Sequence, residues 1–190
     1  WGMYINYRFI MKNSEVNNLT INHSFHFFDS GKGAFADQIL LDNNQFNQVT
    51  GDILRLDKET EDLGIYNAEY VTLTNNSFTD VEGAIVKLYR GGTDESTFGP
   101  HLDMVGNTIS NVGKGKRNKA KAGVFIHGVQ VGNIINNTFH DSQLIRVEHT
   151  VGEPITHVND NTFNKTDKPT VVELRVEGPH TADVSQNKYY

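Results

Sequence analysis

Residues 73–78, Leu-Thr-Asn-Asn-Ser-Phe, contain the pattern that best indicates how this 190-residue chain folds. An apolar residue stands three positions before the second Asn, and an apolar or aromatic residue stands two positions after it. The same pattern recurs five times, so the shared Asn falls at positions 44, 76, 107, 137, 161 and 187. Intervals of 32, 31, 30, 24 and 26 residues between these Asn indicate a repeat architecture.

Each repeat also contains a second segment in which apolar and polar residues alternate, as expected for a strand. These segments are residues 53–57, 85–89, 124–127, 144–148 and 171–175. The Asn between the strands tolerates the left-handed backbone of a sharp bend and can bond to the Asn one repeat away. We therefore predict an all-β fold, a three-faced right-handed parallel β-helix of about six rungs, forming one domain over residues 1–190.

Other repeat architectures fit these intervals less well. A leucine-rich repeat needs a tighter, Leu-dominated pattern, and a propeller blade needs four strands in about 40 residues. Helical repeats need 3.6-residue periodicity over long segments, whereas these segments are short, β-branched or aromatic, and interrupted by Asn, Gly and Asp. A β-helix is the architecture that remains.

Strand alternation predicts which side chains form the core. The inward set is Leu54, Leu56, Val86, Leu88, Ile126, Val147 and Leu174, with Val124, Ile145 and Val172 also inward and Phe46, Phe78, Phe139 and Phe163 stacked. The outward set forms two columns: Arg55, Lys87, Phe125, Arg146 and Glu173, and Asp57, Tyr89, His127, Glu148 and Arg175. Opposite charges on adjacent rungs can simply pair there, or the face can form a groove for an acidic polymer, with Tyr89 and His127 stacking or transferring protons.

Insertions relative to the repeat mark a second candidate surface. Residues 57–64 and 90–100 follow second strands in successive rungs and are expected to touch each other. Residues 114–121 contain five basic residues out of eight, although the whole chain has a formal charge of −6. That net charge argues against general nucleic-acid binding, so any polyanion binding has to be local. The predicted substrate-binding residues are Arg90, Lys114, Lys116, Arg117, Lys119, Tyr89 and His127.

The sequence gives little support for a metal site, a nucleotide site or a membrane-spanning segment. The chain has no Cys, so it has neither disulfides nor thiolate metal sites. The acidic residues near 57–62 and 94–95 can be read as a Ca²⁺ loop, but a solvated loop is favoured, and no metal ligand is predicted. His101, His127 and His149 are too distant in sequence for a local zinc motif, although His127 and His149 are candidates for adjacent rungs. Residues 113–116, Gly-Lys-Gly-Lys, lack the spacing of a phosphate loop, and no apolar run is long enough to span a membrane.

Several sequence segments resemble those of a known family: residues 64–70, 88–100, 115–119, 127–130 and 149–154. They resemble the C-terminal β-helix of two-domain, chondroitinase-B-like alginate lyases of the sixth polysaccharide lyase family. The resemblance implies cleavage of a polyuronate by β-elimination, with Ca²⁺ neutralising the uronate carboxylate and a Lys and an Arg transferring protons. In that family these groups belong to the N-terminal β-helix, so no catalytic residue is expected in this chain.

The resemblance also implies alginate as substrate, an N-terminal catalytic β-helix domain as partner, a homodimer, and a secreted or periplasmic bacterial location. Three functions stay open: an accessory domain of an alginate lyase, which is favoured; a self-sufficient polysaccharide lyase or hydrolase; and a non-catalytic carbohydrate-binding solenoid. A self-sufficient lyase would use Lys87, His127 and Arg146. A hydrolase would need two nearby carboxyl groups, such as Glu148 with Glu173 or Asp57. The isolated chain is expected to fold without cleaving alginate.

Overall fold

The strands wind in a regular three-step path through the molecule. The computed structural model describes residues 6–20, 26–30, 35–56, 68–89, 100–150, 152–174, 176 and 178–190. The strands of the first turns are β1 (Asn6–Lys12), β2 (Glu15–Leu19), β3 (His26–Ser30), β4 (Phe35–Asp42), β5 (Gln45–Val49), β6 (Asp52–Leu56), β7 (Ala68–Thr74), β8 (Ser77–Val81), β9 (Val86–Tyr89) and β10 (His101–Val105). The later strands are β11 (Thr108–Val112), β12 (Val124–His127), β13 (Val131–Ile135), β14 (Thr138–His140), β15 (Ile145–His149), β16 (Ile155–Asn159), β17 (Thr162–Asn164), β18 (Thr170–Glu173), β19 (Thr181–Asp183) and β20 (Lys188–Tyr189).

Every third strand lies in the same sheet, and each strand pairs in parallel with the one from the next turn. The first sheet has the order β1-β4-β7-β10-β13-β16-β19, the second β2-β5-β8-β11-β14-β17-β20, and the third β18-β15-β12-β9-β6-β3. Two sheets of seven strands and one of six are thus described. No described segment is a helix, and none could cross a membrane as one. The predicted right-handed parallel β-helix is confirmed.

The turn from the first sheet to the second is the same in nearly every rung. It takes two residues, at 13–14, 43–44, 75–76, 106–107, 136–137 and 160–161, and we call it the Asn corner. In the Asn corner, the backbone N–H and the side-chain amide of Asn76 donate to Asn107 Oδ1 at 2.9 and 3.0 Å. Asn107 binds Asn137 in the same way at 2.9 Å. Buried amides therefore form a continuous ladder along the coil, which satisfies backbone groups that have no strand partner.

The left-handed backbone falls one residue earlier than the sequence predicted. Asn43, Asn75 and Asn136 have φ near +55°, and Gly106 takes the same place with φ +69°. The ladder Asn itself does not adopt this conformation. Bending and the buried inter-rung bonding are thus divided between two adjacent residues, because the Asn at positive φ is exposed. It can still bond between rungs at the surface, as Asn43 does to Asn13 at 2.7 Å.

Apolar side chains from all three sheets fill the interior as a narrow column. Phe46 stacks on Phe78 with ring centroids 5.3 Å apart, and Phe139 stacks on Phe163 at 5.1 Å. The predicted aromatic stack is confirmed as two segments, because Ile109 occupies the intervening position and is fully buried. Such ring pairs add a modest stabilisation to the burial of apolar area.

The predicted register is wrong in the last strand of the third sheet. Val171 pairs with the inward Val147, whereas Val172 pairs with Glu148. Leu174, predicted to be inside, is 51% exposed. A one-residue shift turns every side chain of a strand to the opposite face. Because Val171 and Val172 are both apolar, alternation alone could not select the face at this strand.

Candidate functional site

The outer face of the third sheet carries the two predicted columns over most of its length. Arg55 pairs with Lys87, Lys87 with Phe125, and Phe125 with Arg146. Tyr89, His127 and Glu148 form the second column. In β18, however, Thr170 and Val172 occupy the positions predicted for Glu173 and Arg175. Asp57 and Arg175 lie outside the described residues.

Two side chains predicted to face solvent on this sheet are buried instead. Phe125 is only 6% exposed, and its ring contacts those of Tyr89 and His127, with centroids 5.4 and 6.4 Å away. Glu148 is 9% exposed. The face is therefore a packed layer of aromatic and charged groups and differs from the row of solvated side chains that alternation suggested.

Glu148 is the centre of a polar cluster on this face. Its Oε2 lies 2.7 Å from His127 Nδ1, and its Oε1 accepts hydrogen bonds from Arg146 at 2.8 and 2.6 Å. Burial by itself raises the pKa of the Glu148 carboxyl, but the hydrogen bonds from His127 and Arg146 outweigh burial, and the net pKa is lowered. The carboxylate is therefore ionised at neutral pH and orients the His127 ring through Nδ1, as a carboxylate does for a proton-transferring imidazole.

His127 and His149 lie on adjacent rungs, as the sequence suggested, but His127 is in register with Glu148 and not with His149. His149 lies on β15, but it is buried, and its Nε2 lies 2.8 Å from Thr156 Oγ1. Burial first, and then the nearby His180, lower the pKa of His149. Glu173, which the hydrolase hypothesis paired with Glu148, accepts from His180 at 2.6 Å instead. Within the described ranges, no three His, Asp or Glu side chains are grouped to hold a metal ion.

The turn from the second sheet to the third varies in length from rung to rung. It spans residues 50–51, 82–85, 113–123, 141–144 and 165–169, and we call it the variable corner. The basic loop, residues 114–121, is the long insertion at this corner. Asn118 closes its base by donating to the carbonyl oxygens of Gly113 and Ala122, both at 2.8 Å. The loop is thus held in a defined shape by its own polar groups.

The basic loop packs back onto the preceding rung. The Gly115 N–H donates to the Glu82 carbonyl at 2.9 Å, and a Cβ added at Gly115 would lie 2.6 Å from Glu82 Cβ. In the opposite direction, Lys114 Nζ lies 2.6 Å from Asp141 Oδ1 in the next rung. The hydrogen bond from Lys114 lowers the pKa of the Asp141 carboxyl. Both contacts keep the loop against the coil and fix the backbone from which its cationic side chains project.

Two depressions lie beside the basic loop. The larger, about 1000 Å³, is open and includes Lys114, Lys116 and Arg117 in its lining. The smaller, about 330 Å³, has in its lining Arg55, Lys87, Arg117 and Lys119, together with His26 and the buried Asp52. We call the smaller one the basic cavity. The two depressions share Thr50, Glu82, Gly115 and Arg117, so they form one continuous surface.

The structure therefore brings several predicted substrate-binding residues together. Arg117 and Lys119 share the basic cavity with Lys87, which was only a candidate catalytic residue. Lys114 and Lys116 line the adjoining depression, and Tyr89 and His127 lie together on the third sheet. Arg90 and the predicted contact between residues 57–64 and 90–100 fall outside the described residues. The sequence pattern did not indicate His26, because β3 precedes the first recognised second-strand segment, and it did not indicate Asp52, which directly precedes that segment, residues 53–57.

Nearly the whole chain matches part of a solved enzyme. The structure described as "PL6 family alginate lyase AlyGC" superimposes with a TM-score of 0.92 and 51% sequence identity, over 97% of this chain and 26% of that chain. A variant of AlyGC in which one Arg is replaced by Ala matches with a TM-score of 0.91 and 51% identity, over 98% of this chain and 26% of that one. No family model and no curated protein matches the sequence. The chain spans about a quarter of the length of the enzyme it matches, and the resemblance stated from its sequence is confirmed.

Proposed function

We propose that this chain is the C-terminal β-helix domain of an alginate lyase of the sixth polysaccharide lyase family, in which it supports the catalytic half and helps to hold the substrate. The observation that carries the proposal is 51% identity with an alginate lyase over 97% of the chain. Identity at that level extends to side-chain chemistry, whereas many unrelated functions share the β-helix fold alone.

The charge distribution supports a role in holding an acidic polysaccharide. The chain is acidic as a whole, with a formal charge of −6, yet the basic loop concentrates five cations in eight residues. Four of those cations line two adjoining depressions: Lys114, Lys116, Arg117 and Lys119. A local positive field on an acidic protein attracts a polyanion to one place and repels it from the rest of the surface.

The described residues do not supply a complete elimination site. Such a site needs a carboxylate-neutralising cation, a base and an acid around one saccharide ring. His127 is oriented by Glu148, but Arg146 is committed to the same carboxylate. We therefore assign β-elimination, with the Ca²⁺ that would neutralise the uronate carboxylate there, to the N-terminal half of the enzyme. No described side chain is assigned to Ca²⁺.

Two further parts of the proposal concern the whole enzyme. A polysaccharide too large to cross a membrane has to be degraded outside the cytoplasm, so we place the enzyme in the periplasm or outside the cell. The homodimer implied by the family resemblance stays a prediction, and the molecular mass of the whole enzyme in solution tests it.

The proposed function is tested with the longer protein that contains this chain and with the 190-residue chain alone. Both are incubated with alginate, with and without Ca²⁺, and the ultraviolet absorbance of unsaturated product ends is followed. We expect Ca²⁺-dependent turnover by the longer protein, and a folded chain, with the circular dichroism of a β protein, that produces no unsaturated ends. Absence of alginate cleavage by the longer protein would contradict the proposal.

A second candidate function rests on the orientation of His127 by Glu148 beside Tyr89. If the chain alone is a lyase, its turnover depends on the outer face of the third sheet. Turnover by the chain that is abolished in Lys87→Ala, His127→Gln or Arg146→Ala would establish this second function and displace the first.

A further inference from the structure

We infer that the basic cavity is a binding site for the carboxylate of one saccharide residue of an acidic polymer. The inference rests on the proposed function for the source of the carboxylate, an alginate chain. It assigns one specific subsite to Lys87, Lys119 and His26, of which the sequence predicted Lys119 for substrate binding, Lys87 as a catalytic candidate and His26 for neither role.

Lys87 is placed where a cation is unfavourable without a counter-ion. It is half-buried and lies directly opposite Arg55 on the neighbouring strand. Like charges directly opposite each other in a sheet are destabilising. Arg55 is compensated by Asp29, whose carboxylate oxygens lie 3.0 and 3.1 Å away. Lys87 forms no ion pair or hydrogen bond with any side chain in the described part of the structure, so its charge is available to a ligand.

Two carboxylates, Asp52 and Glu82, line the basic cavity, and within the described residues neither forms an ion pair with Lys87. Asp52 is buried, and its Oδ1 accepts a hydrogen bond from the Ala84 N–H at 2.8 Å. Its Oδ2 lies 3.0 Å from His26 Nδ1. That distance suits an ion pair with a protonated His26, but the two groups are not aligned for a hydrogen bond, and His26 Nδ1 is a buried polar atom without one. Asp52 is thus directed into the fold and towards His26.

The basic loop, which contributes Lys119 to the basic cavity, is held in a defined shape before any ligand binds. Lys119 follows Asn118, whose side chain holds the loop closed, and Gly115 anchors the loop to Glu82. Within the described residues, the Lys119 ammonium has no ion-pair partner. Two unpaired ammonium groups therefore line one cavity on a fixed backbone, so the entropy lost when an anion joins them is that of the two side chains and not of the loop.

The size and surroundings of the basic cavity favour one residue of a polymer over a free anion. A volume of about 330 Å³ lies at the lower end of the range for small-molecule sites and exceeds what a carboxylate or sulfate alone would fill. The cavity opens into the larger depression that is lined by Lys114 and Lys116. A saccharide bound in the basic cavity can therefore continue past further cations, each of which adds a salt-sensitive attraction.

The test is isothermal titration of the chain with an oligouronate of defined length, at low and at high salt. The variants are Lys87→Ala, Lys119→Ala and their combination, and Lys188→Ala is the matched control, since it removes the same charge from an exposed position on β20. We expect the double variant to lose about tenfold in affinity at low salt, as for the loss of charge-assisted hydrogen bonds. Lys188→Ala should bind as the parent does, and a neutral oligosaccharide of the same length should not bind.

Three outcomes would overturn the inference. These are unchanged binding by the double variant, an equal loss in Lys188→Ala, and binding of inorganic sulfate as tight as that of the oligouronate. The last result would indicate a site for a free anion. Folding does not confound the test, because Lys87→Ala relieves the like-charge contact with Arg55 and its melting temperature should not fall. If the longer protein cleaves alginate and the double variant binds oligouronate normally, the inference is wrong and the proposed function stands.

Discussion

The Asn corner and the variable corner make the same kind of connection between sheets, but they differ in length and in bonding. Both join strands of adjacent sheets, but the Asn corner takes two residues in six described rungs, whereas the variable corner takes between two and eleven. At the Asn corner each buried amide binds the next, so an inserted residue would interrupt the ladder. At the variable corner, side chains link some of the described rungs, since Ser142 and Thr166 accept from the backbone N–H groups of Val112 and Ser142 at 3.1 and 3.0 Å. An insertion between such links costs little, because a longer loop adds little closure entropy. The candidate site lies at the variable corner, where residues have been inserted. The Asn corner, which has no insertions in these rungs, contributes more of the stability.

The largest expected effect is at the Asn corner, from Asn107→Ala. The substitution removes the acceptor of the Asn76 backbone and side-chain N–H groups, and the donor to the Leu73 carbonyl. Buried polar groups left without partners cost about 1–3 kcal/mol each, so we expect a loss of about 3 kcal/mol in the free energy of unfolding. Urea denaturation measures it. Asn17→Ala, at an exposed position on β2, should cost less than about 0.5 kcal/mol, and similar losses in both variants would remove the distinction between the corners.

Gly83→Ala tests whether the variable corner is permissive everywhere. A Cβ at Gly83 would lie 2.4 Å from the Gly51 carbonyl carbon, which is backbone and cannot rotate away. We expect a loss of about 2 kcal/mol, within the range for overpacking. Gly132→Ala is the control, because its nearest contact is the end of the Ile126 side chain at 3.1 Å. An unchanged melting temperature for Gly83→Ala would mean that this corner relaxes freely.

Glu148→Gln measures a buried polar group that lies away from both corners. The variant loses its charge-assisted bonds with Arg146 and His127, and about 1–2 kcal/mol of unfolding free energy at pH 7. The folded pKa of Glu148 is lowered from 4.5, so its contribution is present above that pH and is lost as the pH falls through the folded pKa. Urea unfolding at pH 7 and at successively lower pH should show the difference between parent and variant shrinking.

The control for this pH dependence is Glu153→Gln, at an exposed carboxylate. It should differ little from the parent at any pH. The lowered pKa of His149 also makes both proteins less stable as the pH falls below its usual value of 6.5. That effect is common to parent and variant and cancels in the difference. A difference for Glu148→Gln that is constant across the pH range would contradict the assigned cause.

The smallest effect on stability is expected at the basic loop. Replacing Lys114, Lys116, Arg117 and Lys119 by Ala removes exposed cations, including the Lys114–Asp141 pair. Exposed ion pairs contribute little, so the free energy of unfolding should change by less than about 1 kcal/mol. Binding of oligouronate should weaken at low salt and converge with that of the parent at high salt. Unchanged binding at low salt would reduce the loop to a solvated turn, and a large loss of stability would show that it also supports the coil.

Much of the architecture could be predicted because each repeat is defined by residues that are adjacent in the sequence. The phrase around Asn76 returns often enough to identify the solenoid, and alternation assigned Leu54, Val86 and Ile126 to the core correctly. Prediction failed at Leu174, where two successive Val residues made the face ambiguous. It also failed for Phe125 and Glu148, because alternation gives the direction of a side chain and says nothing about what covers it.

The fold, the ladder of Asn residues and the charge of the basic loop follow from local sequence, since each depends on residues close together in the chain or on a fixed interval between repeats. Which distant groups meet depends on how the rungs pack. His26 and Lys119 are far apart in sequence, yet they line one cavity because the basic loop packs back over the preceding rungs. The direction in which an insertion packs depends on contacts such as that of Gly115 with Glu82. Those contacts form between rungs, so no local sequence pattern predicts them.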